Sequence, residues 1–222
     1  MTQEIIRVHN VPYSRGFRVL WLLEELGLSY DVVNYKIGDR SMREGGLDAL
    51  SPATRVPAIE IGDLVMAESG AIVQHLIETH GPQFGRPVGD PERPAFLQWL
   101  HYSETMASLV EQLNLNHVFL RPPAKPSAIV IKLNTARLRQ SLAGMEARLG
   151  NHDFLLPGGF SGADIMMGFN LYAVPFYVDC SEFPKLLAYR KRLEARPAYQ
   201  TALAKEGPQE FYDRDFYPVP EE

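Results

Sequence analysis

Hydrophobic and polar positions follow two different rhythms along this chain. Through residue 80, short apolar blocks alternate with stretches of helical spacing, whereas beyond residue 90 only helical patterns recur. Glu4 to His9 reads as a short strand, with Ile5, Ile6 and Val8 ahead of an Asn10-Val11-Pro12 turn. From Arg15 to Leu26, the positions Val19, Leu22, Leu23 and Leu26 repeat as one helical face. Glu24 and Glu25 fall on the opposite face, and Gly27 is a natural C-terminal cap. Tyr30 to Tyr35 predicts a second strand, so the first 35 residues read as a βαβ unit. No secondary structure is assigned to the polar segment Gly38 to Ser51. Val56 to Ile61 and Leu64 to Ala67 flank Gly62-Asp63, a hairpin signal, and Ser69 to His80 returns to helical spacing.

The predicted architecture is α/β plus all-α. A four-stranded βαβ-ββα domain over residues 1–80 precedes a Gly- and Pro-rich linker over 81–90 and a helical domain over 91–222. Helical patterns run from Ala95 to His117, Ser127 to Leu149, Ser161 to Tyr172 and Phe183 to Leu193. The aromatic tail from Glu210 onward is expected to lie extended on the surface.

Composition narrows the chemistry. Of 222 residues, 45% are hydrophobic and 22% charged, which places the chain among globular proteins. Lys and Arg number 22 against 27 Asp and Glu, and the basic residues are scattered, so neither nucleic acid nor an anionic membrane is an expected partner. The single Cys180 excludes an internal disulfide, a Cys-x-x-Cys redox pair and a thiolate zinc site. No basic, then apolar, leader is visible at the N-terminus. The longest uncharged run, Ile165 to Val178, is 14 residues and contains Pro175, too short for a bilayer span. A cytoplasmic protein is the expectation. Scattered histidines without a His-x-x-x-His pair argue against a metal hydrolase, and neither Glu68-Ser69-Gly70 nor Phe160-Ser161-Gly162 completes a Gly-x-Ser-x-Gly elbow.

Four motifs, in order, carry a resemblance. Ser14-Arg15-Gly16-Phe17-Arg18 opens the first helix where glutaredoxin-like proteins keep a reactive cysteine. Arg55-Val56-Pro57-Ala58-Ile59 enters a strand, Glu68-Ser69-Gly70-Ala71-Ile72 enters a helix, and Ser161-Gly162-Ala163-Asp164 precedes an apolar helix. Together they are similar to the cytosolic glutathione transferase family, in particular its bacterial, serine-type, theta/delta-like members. The match covers nearly the whole chain. It implies a thioredoxin-like first domain, glutathione as cosubstrate, an apolar electrophile as second substrate, a role in detoxification, and a homodimer.

The resemblance also assigns residues. Ser69 is expected to meet the γ-glutamyl carboxylate at a helix N-terminus, where backbone N–H groups favour an anion, and Glu68 the ammonium group. A plain N-cap serine is the alternative. If Val56-Pro57 is cis, the backbone of Val56 can pair with the cysteinyl unit as an added strand would. Arg55 either holds the glycyl carboxylate or is a surface arginine. Ser14 is the expected hydrogen-bond donor to the thiolate, with Tyr13 as rival donor. Tyr102 and Met106 are candidates for the electrophile side, by position on the first helix of the all-α domain. Ser161 and Asp164 read as a capping pair, important for folding rather than chemistry. A glutathione-binding scaffold or regulator without turnover, and a glutathione-dependent reductase or isomerase, fit the same motifs.

Overall fold

The computed structural model describes residues 5–220; Glu4, the predicted start of the first strand, lies outside them. The chain divides into two compact units, one comprising the residues up to Asp90 with Glu194–Gln209, the other Pro91–Leu193 with the residues from Glu210 onward.

In the first unit, β1 (Ile6–Asn10), α1 (Phe17–Leu26) and β2 (Tyr30–Asn34) form the expected βαβ arrangement. β1 and β2 pair in parallel from Ile6↔Tyr30 to Asn10↔Asn34. The polar segment that follows contains two single-turn helices, α2 (Ser41–Glu44) and α3 (Leu47–Leu50), too short for periodicity to reveal. β3 (Ala58–Ile61) and β4 (Leu64–Ala67) make the hairpin, and α4 (Ser69–His80) follows at the predicted bounds. The sheet order is β2-β1-β3-β4, with β3 antiparallel to both neighbours.

α1 is terminated as its sequence requires. Gly27 adopts φ 65°, its N–H reaches the Glu24 carbonyl, and the Leu28 N–H reaches that of Leu23. This paired closure needs a left-handed residue, which glycine adopts without a Cβ clash. All seven residues from Phe17 to Leu23 are buried, more than one amphipathic face would hide. The covering element is α9 (Pro197–Glu206), which packs on α1 and falls in the first unit rather than with the helices of 91–193. Three of its five apolar residues are alanine and one of its buried positions is Glu206, so its ten residues carry no clear apolar stripe.

The second unit is built on α5 (Arg93–Asn114), α6 (Ala128–Leu149), α7 (Gly162–Ala173) and α8 (Pro184–Glu194). α5 packs against α6 and α7, and Asn170 Nδ2 donates to the Ser103 carbonyl at 2.7 Å. The Ser161/Asp164 capping box is present with both arms. Asp164 is fully buried and accepts from Leu155 N–H, Ser161 N–H, the Ser161 hydroxyl and the Tyr189 hydroxyl at 2.8–3.0 Å. The expected surface tail is partly a core element. Tyr217 is buried, and Tyr212 stacks on Phe176 with ring centroids 3.9 Å apart. Among the described residues, no helix is long and apolar enough to cross a membrane, and no group of three or more His, Cys, Asp or Glu is arranged to hold a metal ion.

Candidate active site

Strand register gathers the three sequence motifs of the first unit. His9 pairs with Ala58, and Ala58 with Ala67. The chain leaving β1, the chain entering β3 and the chain leaving β4 therefore share one end of the sheet. Residues 11–16, Arg55-Val56-Pro57 and Glu68-Ser69 all emerge there.

The turn after β1 is tightly held. Ser14 N–H donates to the Val11 carbonyl at 3.1 Å, and Phe17 N–H to the Ser14 carbonyl at 3.1 Å. Any Cβ at Gly16 would lie 1.9 Å from Asn10 Oδ1, so only glycine lets the start of α1 approach β1 this closely. Ser14 Oγ accepts the Gly16 N–H at 3.2 Å. The hydroxyl keeps its proton to donate, at a helix N-terminus that favours negative charge.

Tyr13 sits beside it with φ 60°, and its N–H donates to Glu206 Oε1 at 2.7 Å. Burial, and then the nearby Glu206 carboxyl, push the Tyr13 phenol above its ordinary pKa. Glu206 is only 1% exposed, and burial raises its carboxyl to about 8 against the opposing Tyr13 hydrogen bond.

At the start of α4 the partner of Ser69 is a residue to which the sequence assigned no role beyond its place in the first-helix motif. Arg18 is fully buried, and its Nη1 donates to Ser69 Oγ at 2.9 Å. A guanidinium stays charged in any fold, so its burial requires hydrogen-bond acceptors, of which Ser69 Oγ is one. Ser69, itself buried, keeps a hydroxyl proton to donate at the helix N-terminus. A lone arginine inside the apolar run 17–23 was the available signal.

Glu68, exposed, adopts φ 71° and ψ 108° with no side-chain cap bond. Such a backbone costs on the order of 1–3 kcal/mol in a non-glycine residue and concentrates at functional sites. Val56-Pro57 is cis, with Val56 half-buried and Pro57 buried. Arg55 is exposed, and its N–H donates to Ser51 Oγ at 3.2 Å. In the second unit, Tyr102 is half-buried with its ring edge-on to Trp99, whereas Met106 is fully buried.

Comparison with known proteins places the chain in a family. A model of the glutathione S-transferase N-terminal domain matches residues 4–78, and one of the C-terminal domain matches residues 112–197. The chain belongs to the glutathione S-transferase family. Glutathione S-transferase 3 of Schizosaccharomyces pombe is 26% identical over 90% of this family member and 88% of its own length. A glutathione S-transferase of Silene vulgaris is 29% identical, covering 90% and 97%. Among solved structures, a glutathione transferase from Methylococcus capsulatus superposes with a TM-score of 0.79 at 26% identity, covering 91% and 98%.

Proposed function

We propose that this chain is a glutathione transferase that holds the glutathione thiolate with the Ser14 hydroxyl and delivers it to an apolar electrophile. The observation that carries the reading is the Ser14 hydroxyl itself, its oxygen engaged by the Gly16 N–H at the N-terminus of α1. A thiol resembling free cysteine has a pKa near about 8.5, and only its thiolate is strongly nucleophilic. Lowering that pKa by about two units takes roughly 2.7 kcal/mol of preferential thiolate stabilisation. One hydroxyl donor and a helix N-terminus are of the right size together. Serine does not serve as base, because its hydroxyl is far less acidic than the thiol; the thiol proton leaves to solvent. The sulfur electron pair then forms the C–S bond as the leaving group departs with its own pair, or as the π electrons of an activated double bond move away.

The remaining residues suit the peptide. Ser69, backed by Arg18, takes the γ-glutamyl carboxylate, and Glu68 takes the ammonium group. The Val56 backbone pairs with the cysteinyl unit, and Arg55 reaches the glycyl carboxylate. For the electrophile, half-buried Tyr102 offers ring surface, and wholly buried Met106 acts only by supporting its helix. Tyr13 is the rival donor: a phenol is more acidic than a serine hydroxyl, though burial raises its pKa. Ser14 is preferred because its spacing ahead of Arg18 matches the serine-type motif. Assembly as a homodimer is carried over from the family resemblance alone.

Conjugation of an activated aryl halide tests the assignment. Ser14→Ala is expected to lower kcat/KM at least about tenfold, with glutathione affinity kept within about threefold and Tyr13→Phe near wild type. Activity that survives Ser14→Ala and collapses in Tyr13→Phe makes the phenol the donor. If mixing the wild type with glutathione at neutral pH yields no thiolate absorbance, the transferase reading fails and a binding scaffold takes its place.

A further inference from the structure

The C-terminal end of α9 closes on the Tyr13-Ser14 turn from 193 residues away in sequence. Two hydrogen bonds and a close approach of the chain meet there. Glu206 Oε1 accepts the Tyr13 N–H at 2.7 Å, the Glu206 carbonyl accepts Asn34 Nδ2 at 3.3 Å, and a Cβ at Gly207 would lie 3.4 Å from Pro12 Cγ. Asn34 in turn accepts from Asn10 Nδ2 at 3.0 Å, tying the contact to the end of β1. α9 is anchored along its length. Arg196 grips Glu25 of α1 through two nitrogens at 2.5 and 2.7 Å, and Tyr199 sets its ring edge-on to Phe17 and Trp21. The end of the helix is therefore fixed relative to the start of α1, where Ser14 lies.

Tyr13 has a left-handed backbone that a tyrosine adopts only when its surroundings impose it. Its N–H is held by a buried carboxyl. We propose that Glu206 is a positioning residue of the thiolate site, its carboxyl oxygen holding the Tyr13 N–H and, through that peptide, the aim of the Ser14 hydroxyl. The proposal rests on the transferase reading above. Glu206 touches neither sulfur nor electrophile; it sets the orientation of the group that does. Its carboxyl is largely protonated at neutral pH, so a carboxamide is a close substitute as acceptor.

The test compares Glu206→Gln, which keeps an acceptor oxygen, with Glu206→Met, of similar length but without a strong one. Glu206→Gln is expected to stay within about threefold of wild type in kcat and in thiolate absorbance of bound glutathione. Glu206→Met is expected to lose about tenfold or more in kcat and most of the thiolate signal, with KM for glutathione changed less than about threefold. A purely structural residue would instead lower the melting temperature and leave kcat alone. Equal kcat in both variants and wild type overturns the proposal, as does an equal loss in both. Hydrogen exchange on the wild type supplies a reading independent of any variant. A Tyr13 amide exchanging as fast as an open loop amide also overturns it. Absence of a thiolate signal in the wild type refutes the transferase reading, whereas its presence in the wild type and undiminished persistence in Glu206→Met refutes this one.

Discussion

Glu206 carries a second consequence at the scale of a single residue. Its carboxyl titrates at about 8 in the folded chain and near 4.5 in the unfolded one, because burial penalises the charged form. Between those values the folded chain keeps a proton that the unfolded chain has lost. The associated stability is fully present below pH 4.5, declines as pH rises, and is gone above about 8. At about 1.4 kcal/mol per unit, the total is on the order of a few kcal/mol. Glu206→Gln has nothing to ionise. Its melting temperature should therefore gain on the wild type steadily between about pH 4.5 and 8 and hold that lead above it; parallel curves would mean that Glu206 is not the source. Asp164, also pushed up by burial, is present in both proteins and cancels from the difference.

α9 shows how an element with little pattern of its own can be well anchored. Tyr199 is buried, its ring 4.9 Å from Phe17 and 5.0 Å from Trp21 between centroids, and Trp21 Nε1 donates to the Glu25 carboxylate that Arg196 grips. Tyr199→Ala removes a large buried ring and should cost about 3 kcal/mol in urea unfolding. Lys205→Ala, which breaks a pair with Glu24 on a half-exposed lysine, should cost less than about 1 kcal/mol. The opposite order would mean that charge, rather than packing, seats the helix. Glu24 and Glu25, placed by the sequence on the face opposite the apolar stripe, carry the polar contacts of α1 with Arg196 and Lys205. The capping pair ahead of α7 was legible, since Ser161 and Asp164 are three residues apart. The two further donors to Asp164 were not, because Leu155 and Tyr189 lie outside the local motif.

At the scale of the whole chain, the residues from Glu194 onward are divided between the two units. Glu194–Gln209 completes the first and the residues from Glu210 onward the second. In the second unit, Tyr212 and the Tyr177 hydroxyl both donate to Asn114 Oδ1, and Tyr217 N–H donates to the Phe176 carbonyl at 2.7 Å. A chain ending at Gln209 keeps α9 and Glu206 but strips two aromatic rings from this cluster. It should melt several degrees lower, roughly 3 kcal/mol less stable, while retention on immobilised glutathione stays within about twofold of the full chain. Loss of glutathione retention without a change in melting would give the tail a binding role in place of a packing one.

Much of this protein was determined by local sequence. Alternating apolar blocks set the strands of the first unit, Ser69 to His80 marked a helix at both ends, Gly27 stopped another, and four short motifs carried the family resemblance. These features depend on residues a few positions apart, where backbone geometry and side-chain spacing act directly. Tertiary structure decided what depends on distant partners. It buried Arg18 beneath Ser69, set Glu206 against Tyr13, covered the second face of α1 with α9, and drew Tyr212 and Tyr217 into the helical unit. No local period encodes such pairings, because a buried charge or carboxyl is tolerated only where chain segments far apart in sequence supply its hydrogen bonds.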